Sequence, residues 1–385
     1  MHPDLLQKLT AWRRHLHAYP ELSGHESGTA AFVREKLTEF GIPFEAGIGG
    51  AGIVATLRRP GSNRSVGLRA DMDALPIVET NELPYASKTP GVMHACGHDG
   101  HTVSLLGAAA MLANDASWKG TAHFIFQPAE EGGTGAKAMI ADGLLERFPM
   151  QRVFTFHNRP GLDAGTVAVH DGPVMAAGGR WTVTLHGHAG HAAIPHLTRD
   201  PIVAAAHLIM GLQTIVARNV DPADAVVLSI GQIHGGVVSN QIPGSVSLAG
   251  TLRTYRQEVR EAVIARMRSL IAGTCESYGM RADVDITSTG RAIINTHAEV
   301  ELAAAAGRAI GANVRRDLRP SATGDDFSFL IKERPGAYVW IGNGAAGPDG
   351  ELHNARYDFN DDILPVAIGW MSEVAKQALT EAPAG

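Results

Sequence analysis

The sequence has little cysteine, no run of like charge and no long apolar stretch. Only Cys96 and Cys275 are cysteines among 385 residues, which argues against a disulfide framework and fits a reducing compartment. The formal net charge is −6 and lysine and arginine are dispersed, so neither a nucleic-acid surface nor an anionic-membrane surface is indicated. No apolar run reaches the ~18–20 residues that a membrane span needs. We therefore expect a cytoplasmic protein without nucleic-acid or membrane partners.

The bulk composition is that of a folded enzyme with more than one domain. Hydrophobic residues make up 45% of the chain and charged residues 19%, which is ordinary for a soluble globular protein. At 385 residues, the chain exceeds the size at which one core usually keeps growing. Its 18 histidines are notable because histidine is the commonest metal ligand. Clusters of histidine are therefore candidate metal sites.

The first part of the chain alternates predicted strands with predicted helices. Strands are predicted at 52–57, 66–69, 121–126 and 153–156, and a helix at 102–114. This alternation indicates an α/β layer with a largely parallel sheet. Functional groups in such sheets collect beyond the carboxyl ends of the strands. Asp71, Glu130 and His157 all follow strand ends, so we expect them to lie near one another.

The pattern changes near residue 179. From there to about Thr289 the chain reads strand-helix-strand-strand-helix-strand, the ferredoxin-like split pattern, over ~110 residues. The helix-strand alternation then resumes. The sequence predicts one α/β domain from residues 1–178 and 290–385, interrupted by an inserted α/β sandwich from residues 179–289.

Two motifs carry groups suited to metal chemistry. Residues 94–101 read His-Ala-Cys-Gly-His-Asp-Gly-His, and thiolate and imidazole ligands suit zinc, cobalt, nickel or manganese-like ions. The adjacent pair Glu130-Glu131 follows a strand, and one carboxylate of such a pair can bind metal while its neighbour deprotonates a bound water. A single member of either motif would more often be structural. The density of both motifs favours a site.

Isolated histidines can complete the set only through the fold. His157 ends a predicted strand, and His353 stands in Leu-His-Asn-Ala-Arg-Tyr-Asp-Phe. Taken alone, each is more often a satisfied polar residue than a ligand, and sequence distance cannot join them to Cys96 and His98.

The motifs together resemble one family. Residues 94–101, 127–131, 187–196 and 352–361 match, in order and approximate spacing, the co-catalytic metallopeptidase-like amidohydrolases. That group includes hippurate hydrolases, bacterial aminoacylases, N-acetyldiaminopimelate deacetylases and hydrolases of auxin conjugates. The resemblance runs from the Arg-His-Leu-His and Pro-Glu-Leu segments at 14–22 to the C-terminal helix. It implies a zinc-peptidase-like catalytic domain with a mixed, largely parallel sheet, and an inserted lid and dimerisation domain.

The resemblance also assigns roles to individual residues. It implies two divalent ions (Mn, Zn, Co or Ni) bound by Cys96, His98, Glu131, His157 and His353, with Glu130 as the general base and proton shuttle. It implies that His191 reaches the partner subunit's active site to stabilise the oxyanion, within a homodimer or homotetramer assembled through the lid. Asn240 and Arg253 match positions linked to the substrate carboxylate, and a guanidinium suits that group.

The expected reaction is metal-dependent hydrolysis of the amide bond of N-acyl or N-aroyl amino acids. Two ions would lower the pKa of a bridging water and polarise the carbonyl, and Glu130 would move the proton. A dipeptidase, a carboxypeptidase or an N-acetyldiaminopimelate deacetylase could use the same metal site. An alternative of another class is a metal-dependent binding protein without catalysis, against which the presence of Glu130 argues.

Some residues depart from the family pattern or stay outside it. Asp325 replaces a glutamate of a family Gly-x-Glu-Asp-Phe segment, so a pocket wall could shift. Asp71 and Asp73 are interpreted as supporting or loop-forming residues rather than ligands. Cys275 is predicted to be a small core residue.

Overall fold

The fold was analysed in a computed structural model that describes residues 2–288 and 290–380. Its described residues fall into two compact units. The first is drawn from Met1–Val174, Ile294–Arg319 and Asp325–Gly385, and the second from Met175–Ile293 and Pro320–Gly324. The predicted division did not include the return of Pro320–Gly324 to the second unit. Three ends of the predicted domain segments, at residues 1, 289 and 385, lie outside the described residues.

The chain enters through the first unit. Its helices up to residue 174 are α1 (Pro3–Ala18), α2 (Ser27–Glu39), α3 (His98–Asn114), α4 (Gly135–Ala141) and α5 (Leu144–Arg147). Its strands are β1 (Phe44–Ile48), β2 (Gly52–Arg59), β3 (Ser65–Asp71), β4 (Gly120–Gln127), β5 (Arg152–Pro160) and β6 (Val167–Ala168), followed by β7 (Gly172–Met175) at the unit boundary.

The second unit follows. Its strands are β8 (Ala177–His186), β9 (Gly190–His191), β10 (Val226–Gly235), β11 (Gln241–Ile242), β12 (Ser245–Thr254) and β13 (Arg281–Ser288). Its helices are α6 (Pro201–Asn219) and α7 (Gln257–Tyr278), with a 3₁₀ turn at Pro195–Leu197.

The chain then returns to the first unit. Strand β14 (Ile293–Asn295) leads into β15 (Val314–Arg315) and β16 (Gly336–Gly344), with helices α8 (His297–Ala309), α9 (Phe327–Glu333) and α10 (Leu364–Thr380). A 3₁₀ turn at Asp361–Ile363 precedes α10.

The first unit is built on an eight-stranded sheet with the order β1-β2-β4-β3-β5-β16-β6-β15. Strands β4, β3, β5 and β16 are parallel to their neighbours within this central block. The β1 and β2 hairpin joins β4 in antiparallel fashion, and β6 is antiparallel to β16. The predicted mixed, largely parallel sheet is confirmed.

The two faces of this sheet have different chemistry because side chains alternate along each strand. Leu68 and Ala70 of β3 lie in the apolar core, which also includes residues of α3, α8 and α10. Arg69 and Asp71 alternate with them, are buried and point to the opposite face. In register with Arg69 lies Thr155 of β5. Polar groups therefore accumulate on one face toward the carboxyl ends of the central strands.

The second unit has its own sheet and core. Its four long strands are antiparallel in the order β10-β12-β8-β13, and the chain order strand-helix-strand-strand-helix-strand is the predicted one. By length and composition alone, α6 could cross a membrane, although 33% of its most apolar 18-residue stretch is buried. A core helix passes the same test. Ala204, Leu208, Leu212 and Ile215 of α6 lie in the core of this unit.

Candidate metal centre

Helix α3 begins at His98 rather than at the predicted residue 102, so the His-Asp-Gly-His segment forms its first turn. Gly97 precedes the helix with φ +93°, a left-handed conformation that glycine adopts freely. A Cβ at this position would lie 2.4 Å from Asn158 Oδ1 and 2.7 Å from Tyr357 OH. Glycine is therefore required here, and it turns the chain so that Cys96 and His98 face the same buried region.

His98 is held in one orientation by its ring nitrogens. Its Nδ1 donates to the Asp73 carbonyl oxygen at 2.9 Å, which leaves the lone pair on Nε2. That Nε2 is buried and has no hydrogen-bond partner among the described residues. Burial lowers the pKa of His98, but Asp71 and Cys96 raise it by a larger amount. The pKa of His98 is therefore well above the ordinary value. The surroundings of Nε2 therefore favour a positive charge there, either a proton or a bound cation.

Cys96 and His157 meet next to His98. The distance from Cys96 Sγ to His157 Nε2 is 3.3 Å, and His157 Nδ1 donates to the Asn158 carbonyl oxygen at 2.8 Å. Burial and the nearby His101 lower the pKa of His157, which keeps this ring neutral with its lone pair on Nε2. Burial and Glu131 raise the pKa of the Cys96 thiol. A cation would oppose that rise because it stabilises the thiolate.

Glu131 and His353 form the exposed side of the cluster. His353 Nε2 lies 3.3 Å from Glu131 Oε1. The backbone N–H of His353 donates to the Ala95 carbonyl oxygen at 2.8 Å, which fixes the 352–354 loop beside Cys96. His353 has φ +64°, a conformation that costs free energy outside glycine and persists where surrounding structure imposes it.

These side chains form overlapping groups of potential metal ligands. Ligand atoms of Cys96, His98 and His157 lie within 4.8 Å of one another, and so do those of Cys96, Glu131 and His353. Cys96 belongs to both groups. The thiol, imidazole and carboxylate donors, with His98 Nε2 buried and unpaired, fit divalent ions of the zinc or manganese type. All five predicted ligands are thus brought together by the first unit.

In a third group, Asp71 with His98 and His101, the Asp71 carboxylate already has protein partners. Asp71 Oδ2 accepts from Arg69 Nη1 at 2.7 Å, and Asp71 Oδ1 lies 2.6 Å from His101 Nδ1. Burial raises the pKa of Asp71, but Arg69 and the two histidines lower it more, to well below the usual range. Asp71 is therefore ionised and paired with His101 and Arg69.

Glu130 stands beside the cluster without being one of the five. Its carboxylate lies within 4.8 Å of ligand atoms of His98 and Glu131, and Glu130 Oε1 accepts from the backbone N–H of Asp326 at 3.3 Å. Burial, with the Asp325, Glu131 and Asp326 carboxylates, raises the pKa of Glu130 well above its ordinary value. A carboxylate with a raised pKa is a stronger base, as a proton shuttle requires.

The remaining predicted residues belong to the second unit. Strand β9 pairs with β11, which places His191 opposite Gln241 and next to Asn240, whose carbonyl accepts from Ala192 N–H at 3.0 Å. His191 is exposed, and its Nδ1 accepts from Ala193 N–H at 3.0 Å, so the ring proton is on Nε2. Arg253 lies on β12, and among the described residues it makes no ion pair. Its Nη1 donates to the Leu252 carbonyl oxygen at 3.3 Å.

Sequence reasoning interpreted Asp73 as a supporting residue but missed Arg69, and both hold the cluster in place. Asp73 accepts His98 through its carbonyl and the Glu131 N–H through Oδ2 at 2.9 Å. Arg69 donates to Asp71, to Asp325 at 3.1 Å and to Asp326 at 3.2 Å. The position of Arg69 inside the mostly apolar strand β3 was the feature of the sequence that could have indicated this role. The shorter Asp325 still reaches this guanidinium.

Comparisons with known proteins agree with this geometry. Residues 67–377 match the model of the peptidase family M20/M25/M40. The chain is 39% identical over 376 residues to an N-acetyl-L-cysteine deacetylase of Bacillus subtilis, covering 97% of this chain and 89% of the relative. It is 37% identical over 378 residues to a hippurate hydrolase of Campylobacter jejuni, covering 98% of each. A Bacillus subtilis crystal structure described as a dinuclear metal-binding peptidase of the M20 family matches with a TM-score of 0.87 and 33% identity, covering 98% of this chain and 99% of that one.

Proposed function

Because this chain belongs to the peptidase family M20/M25/M40, as its motifs predicted, we propose that it hydrolyses the amide bond of N-acyl or N-aroyl amino acids with two divalent cations. One observation carries the proposal. Buried thiol and imidazole ligands converge at the end of the parallel sheet, and an additional carboxylate, that of Glu130, lies beside them.

The five predicted ligands would hold the two cations. Cys96 belongs to both ligand groups and stands between them, His98 and His157 lie on its buried side, and Glu131 and His353 on its exposed side. Bound divalent cations lower the pKa of water and polarise an amide carbonyl. The metal is open among Mn, Zn, Co and Ni, because a mixed thiolate, imidazole and carboxylate set does not select one of them.

Glu130 moves the proton. It accepts the proton of the attacking water and returns it to the leaving nitrogen, so one group acts first as base and then as acid. Its raised pKa suits both steps because the carboxyl group holds the proton between them. A protein that only bound metal and ligand would have no use for this uncoordinated carboxylate.

Three side chains of the second unit are proposed to bind the substrate. His191 presents a free Nε2–H, a donor suited to the oxygen that becomes negative in the tetrahedral intermediate. Arg253 has a guanidinium without a carboxylate partner among the described residues, which suits a substrate with a free α-carboxylate. Asn240, adjacent in space to His191, would bind the same α-carboxylate of the substrate through its side-chain amide.

The second unit also carries a surface for self-association. Strand β10 is an edge strand, and exposed apolar side chains lie on it and on α6: Ile202, Val203, Met210, Val227 and Ile233. An exposed apolar edge strand is usually covered by another chain. A second copy would cover it in a homodimer or homotetramer, and His191 would act in the partner's site. We place the protein in the cytoplasm, with small N-acyl amino acids as its substrates.

The deciding experiment replaces the base and keeps the ligands. In Glu130→Gln we expect kcat for N-acyl amino acids to fall by about 10²–10⁴-fold while the metal content stays at two ions per chain. Hippurate, N-acetylcysteine, N-acetyldiaminopimelate and dipeptides, each with Mn, Co, Ni and Zn, form the substrate panel. Unchanged turnover in Glu130→Gln would refute the mechanism. Turnover of dipeptides alone would show that the enzyme is a dipeptidase.

A further inference from the structure

The turn between α1 and α2 contains a glutamate that contacts the segment bearing the base. Glu26 is fully buried, with 0% exposure. Its Oε1 accepts two backbone N–H groups, that of Gly24 at 2.8 Å and that of Ala129 at 2.8 Å. Ala129 directly precedes Glu130. Glu26 thus reaches across 103 positions of sequence to hold the backbone beside the base.

The backbone at Ala129 needs such support. Ala129 has φ +52°, in the left-handed region that a residue with a Cβ adopts at a cost in free energy. Its carbonyl oxygen accepts from Thr134 N–H at 3.2 Å and from Gly135 N–H at 3.1 Å, so the segment closes into a tight turn. The direction in which Glu130 leaves this turn depends on the conformation of Ala129, because the two residues share a peptide bond.

The same N-terminal turn contacts the segment a second time. Ser23 Oγ donates to Asp73 Oδ2 at 2.5 Å, and that oxygen also accepts the N–H of Glu131 at 2.9 Å. The N–H groups before and after Glu130 are therefore both bonded to carboxylates anchored at the 20–26 turn. Only the first of these bonds is made by the turn's own carboxylate, that of Glu26.

We propose that Glu26 is a positioning residue for the general base: by accepting the Ala129 N–H, it fixes the turn from which the Glu130 carboxylate reaches the reacting water. The inference rests on the role proposed above for Glu130. It assigns a use to the residues that follow the Pro-Glu-Leu segment, which form no part of the metal centre. Burial raises the pKa of Glu26. Accepting an N–H requires only a carbonyl-type oxygen, so the role does not depend on its charge.

A matched control lies five residues earlier in the same turn. Glu21 also accepts two backbone N–H groups, those of Gly28 at 3.0 Å and Thr29 at 2.7 Å. Those groups start α2 and do not belong to the 128–135 segment. A purely structural function predicts the same behaviour for Glu21 and Glu26. A positioning function predicts a difference between them in kcat.

The test compares Glu26→Gln, Glu26→Leu, Glu26→Asp and Glu21→Leu in the full-length, metal-loaded enzyme. We expect kcat to fall by about tenfold to a hundredfold in Glu26→Leu and Glu26→Asp, with KM nearly unchanged and two ions per chain by elemental analysis. Glu26→Gln keeps the acceptor oxygen and should restore kcat. Glu21→Leu should lower the melting temperature and leave kcat unchanged. If Glu26→Leu does not fold, Glu26→Asp, which keeps the charge but shortens the reach, decides.

Three outcomes overturn the proposal: unchanged kcat in Glu26→Asp and Glu26→Leu, a loss of kcat that extra metal restores, or an equal loss of kcat in Glu21→Leu. Glu130→Gln separates this failure from failure of the proposed function. If Glu130→Gln is inactive while the Glu26 variants keep full kcat, only the positioning role is wrong. If Glu130→Gln keeps its activity, the base assignment itself is wrong.

Discussion

The two units present their predicted functional side chains in opposite ways. In the first unit, Cys96, His98 and His157 are 7%, 0% and 5% exposed, and their orientation is fixed by buried partners such as Asp73. In the second unit, His191 is exposed and is oriented by one bond from a neighbouring N–H. The orientation of these predicted ligands in the first unit is therefore fixed by buried protein partners, whereas His191 in the second unit remains exposed to solvent.

This difference follows from the cost of burying charge. A buried ionised group is tolerated only when it is paired and hydrogen-bonded, so the cluster in the first unit requires Arg69, Asp71 and Asp73 behind it. An exposed imidazole such as that of His191 remains solvated and needs no such network. Substitutions in the buried network of Arg69, Asp71 and Asp73 should therefore affect folding and activity together, and substitutions of His191 and Arg253 in the second unit activity alone.

The largest expected effect tests the buried network. Arg69 donates to Asp71, Asp325 and Asp326, so Arg69→Met leaves three buried carboxylates without their shared cation. We expect the free energy of unfolding to fall by about 3–5 kcal/mol. Urea denaturation measures it, with Arg253→Met in the second unit as the control. An equal loss in both variants would remove the distinction between the units.

The next effect concerns catalysis without stability. His191→Ala removes the proposed oxyanion donor, and we expect kcat to fall by about 10²–10³-fold. Because the ring is exposed, the urea midpoint should stay where it is. Steady-state kinetics and denaturation of the same preparation give both numbers. A loss of stability comparable to that of Arg69→Met would show that His191 is a structural residue instead.

Self-association can be tested with the same variant. If His191 acts in the partner's site, mixing His191→Ala with Glu130→Gln should restore activity, because mixed dimers hold one site with both intact residues. A charged substitution on the edge strand, Ile233→Lys, should yield monomers of low activity. Sedimentation velocity measures the oligomer. Full activity of a monomer would refute the trans arrangement.

A third effect is a pH dependence that belongs to the first unit. Burial lowers the pKa of His123 to about 4, and its Nδ1 and Nε2 contact Thr56 Oγ1 and the Pro149 carbonyl oxygen. The folded state therefore binds fewer protons than the unfolded state, in which the pKa is near 6.5. Stability should fall as the pH drops below about 6.5 and level off near pH 4, a total of about 3 kcal/mol.

His123→Gln should remove that pH-dependent part. The quantity to measure is the difference in unfolding free energy between the variant and the unmodified protein at pH 7 and pH 5, at one metal concentration. His196→Gln, an exposed histidine of the second unit, is the control and should show no such difference. A pH dependence unaltered by His123→Gln would contradict the interpretation.

The smallest expected effect is on substrate binding. Arg253→Met should raise KM for N-acyl amino acids by about tenfold to a hundredfold, since a hydrogen bond to a charged group contributes about 1.5–3 kcal/mol. A substrate amide in place of the free carboxylate should bind equally to both forms. If KM for the carboxylate is unchanged, another residue binds that group.

Several features of the fold could be predicted from the sequence, because they depend on local patterns. The spacing of apolar residues predicted the central strands and the helices between them. Glycine next to histidine and cysteine in residues 94–101 indicated a metal site. The start of α3 was placed four residues too late, because the polar His98 and Asp99 do not show helical apolar spacing. Their polar side chains are buried by tertiary contacts that the local pattern does not contain.

The sequence by itself determined the family, the order of the elements and the identity of the groups with metal chemistry. Only the tertiary structure decided which groups meet. His353 lies next to Glu131 because a backbone bond to Ala95 holds its loop there. The contacts of Glu26 with Ala129 and of Arg69 with Asp325 likewise join segments that are distant in sequence. Composition and spacing record which groups a chain has, whereas contacts between distant segments depend on how the whole sheet and its helices pack.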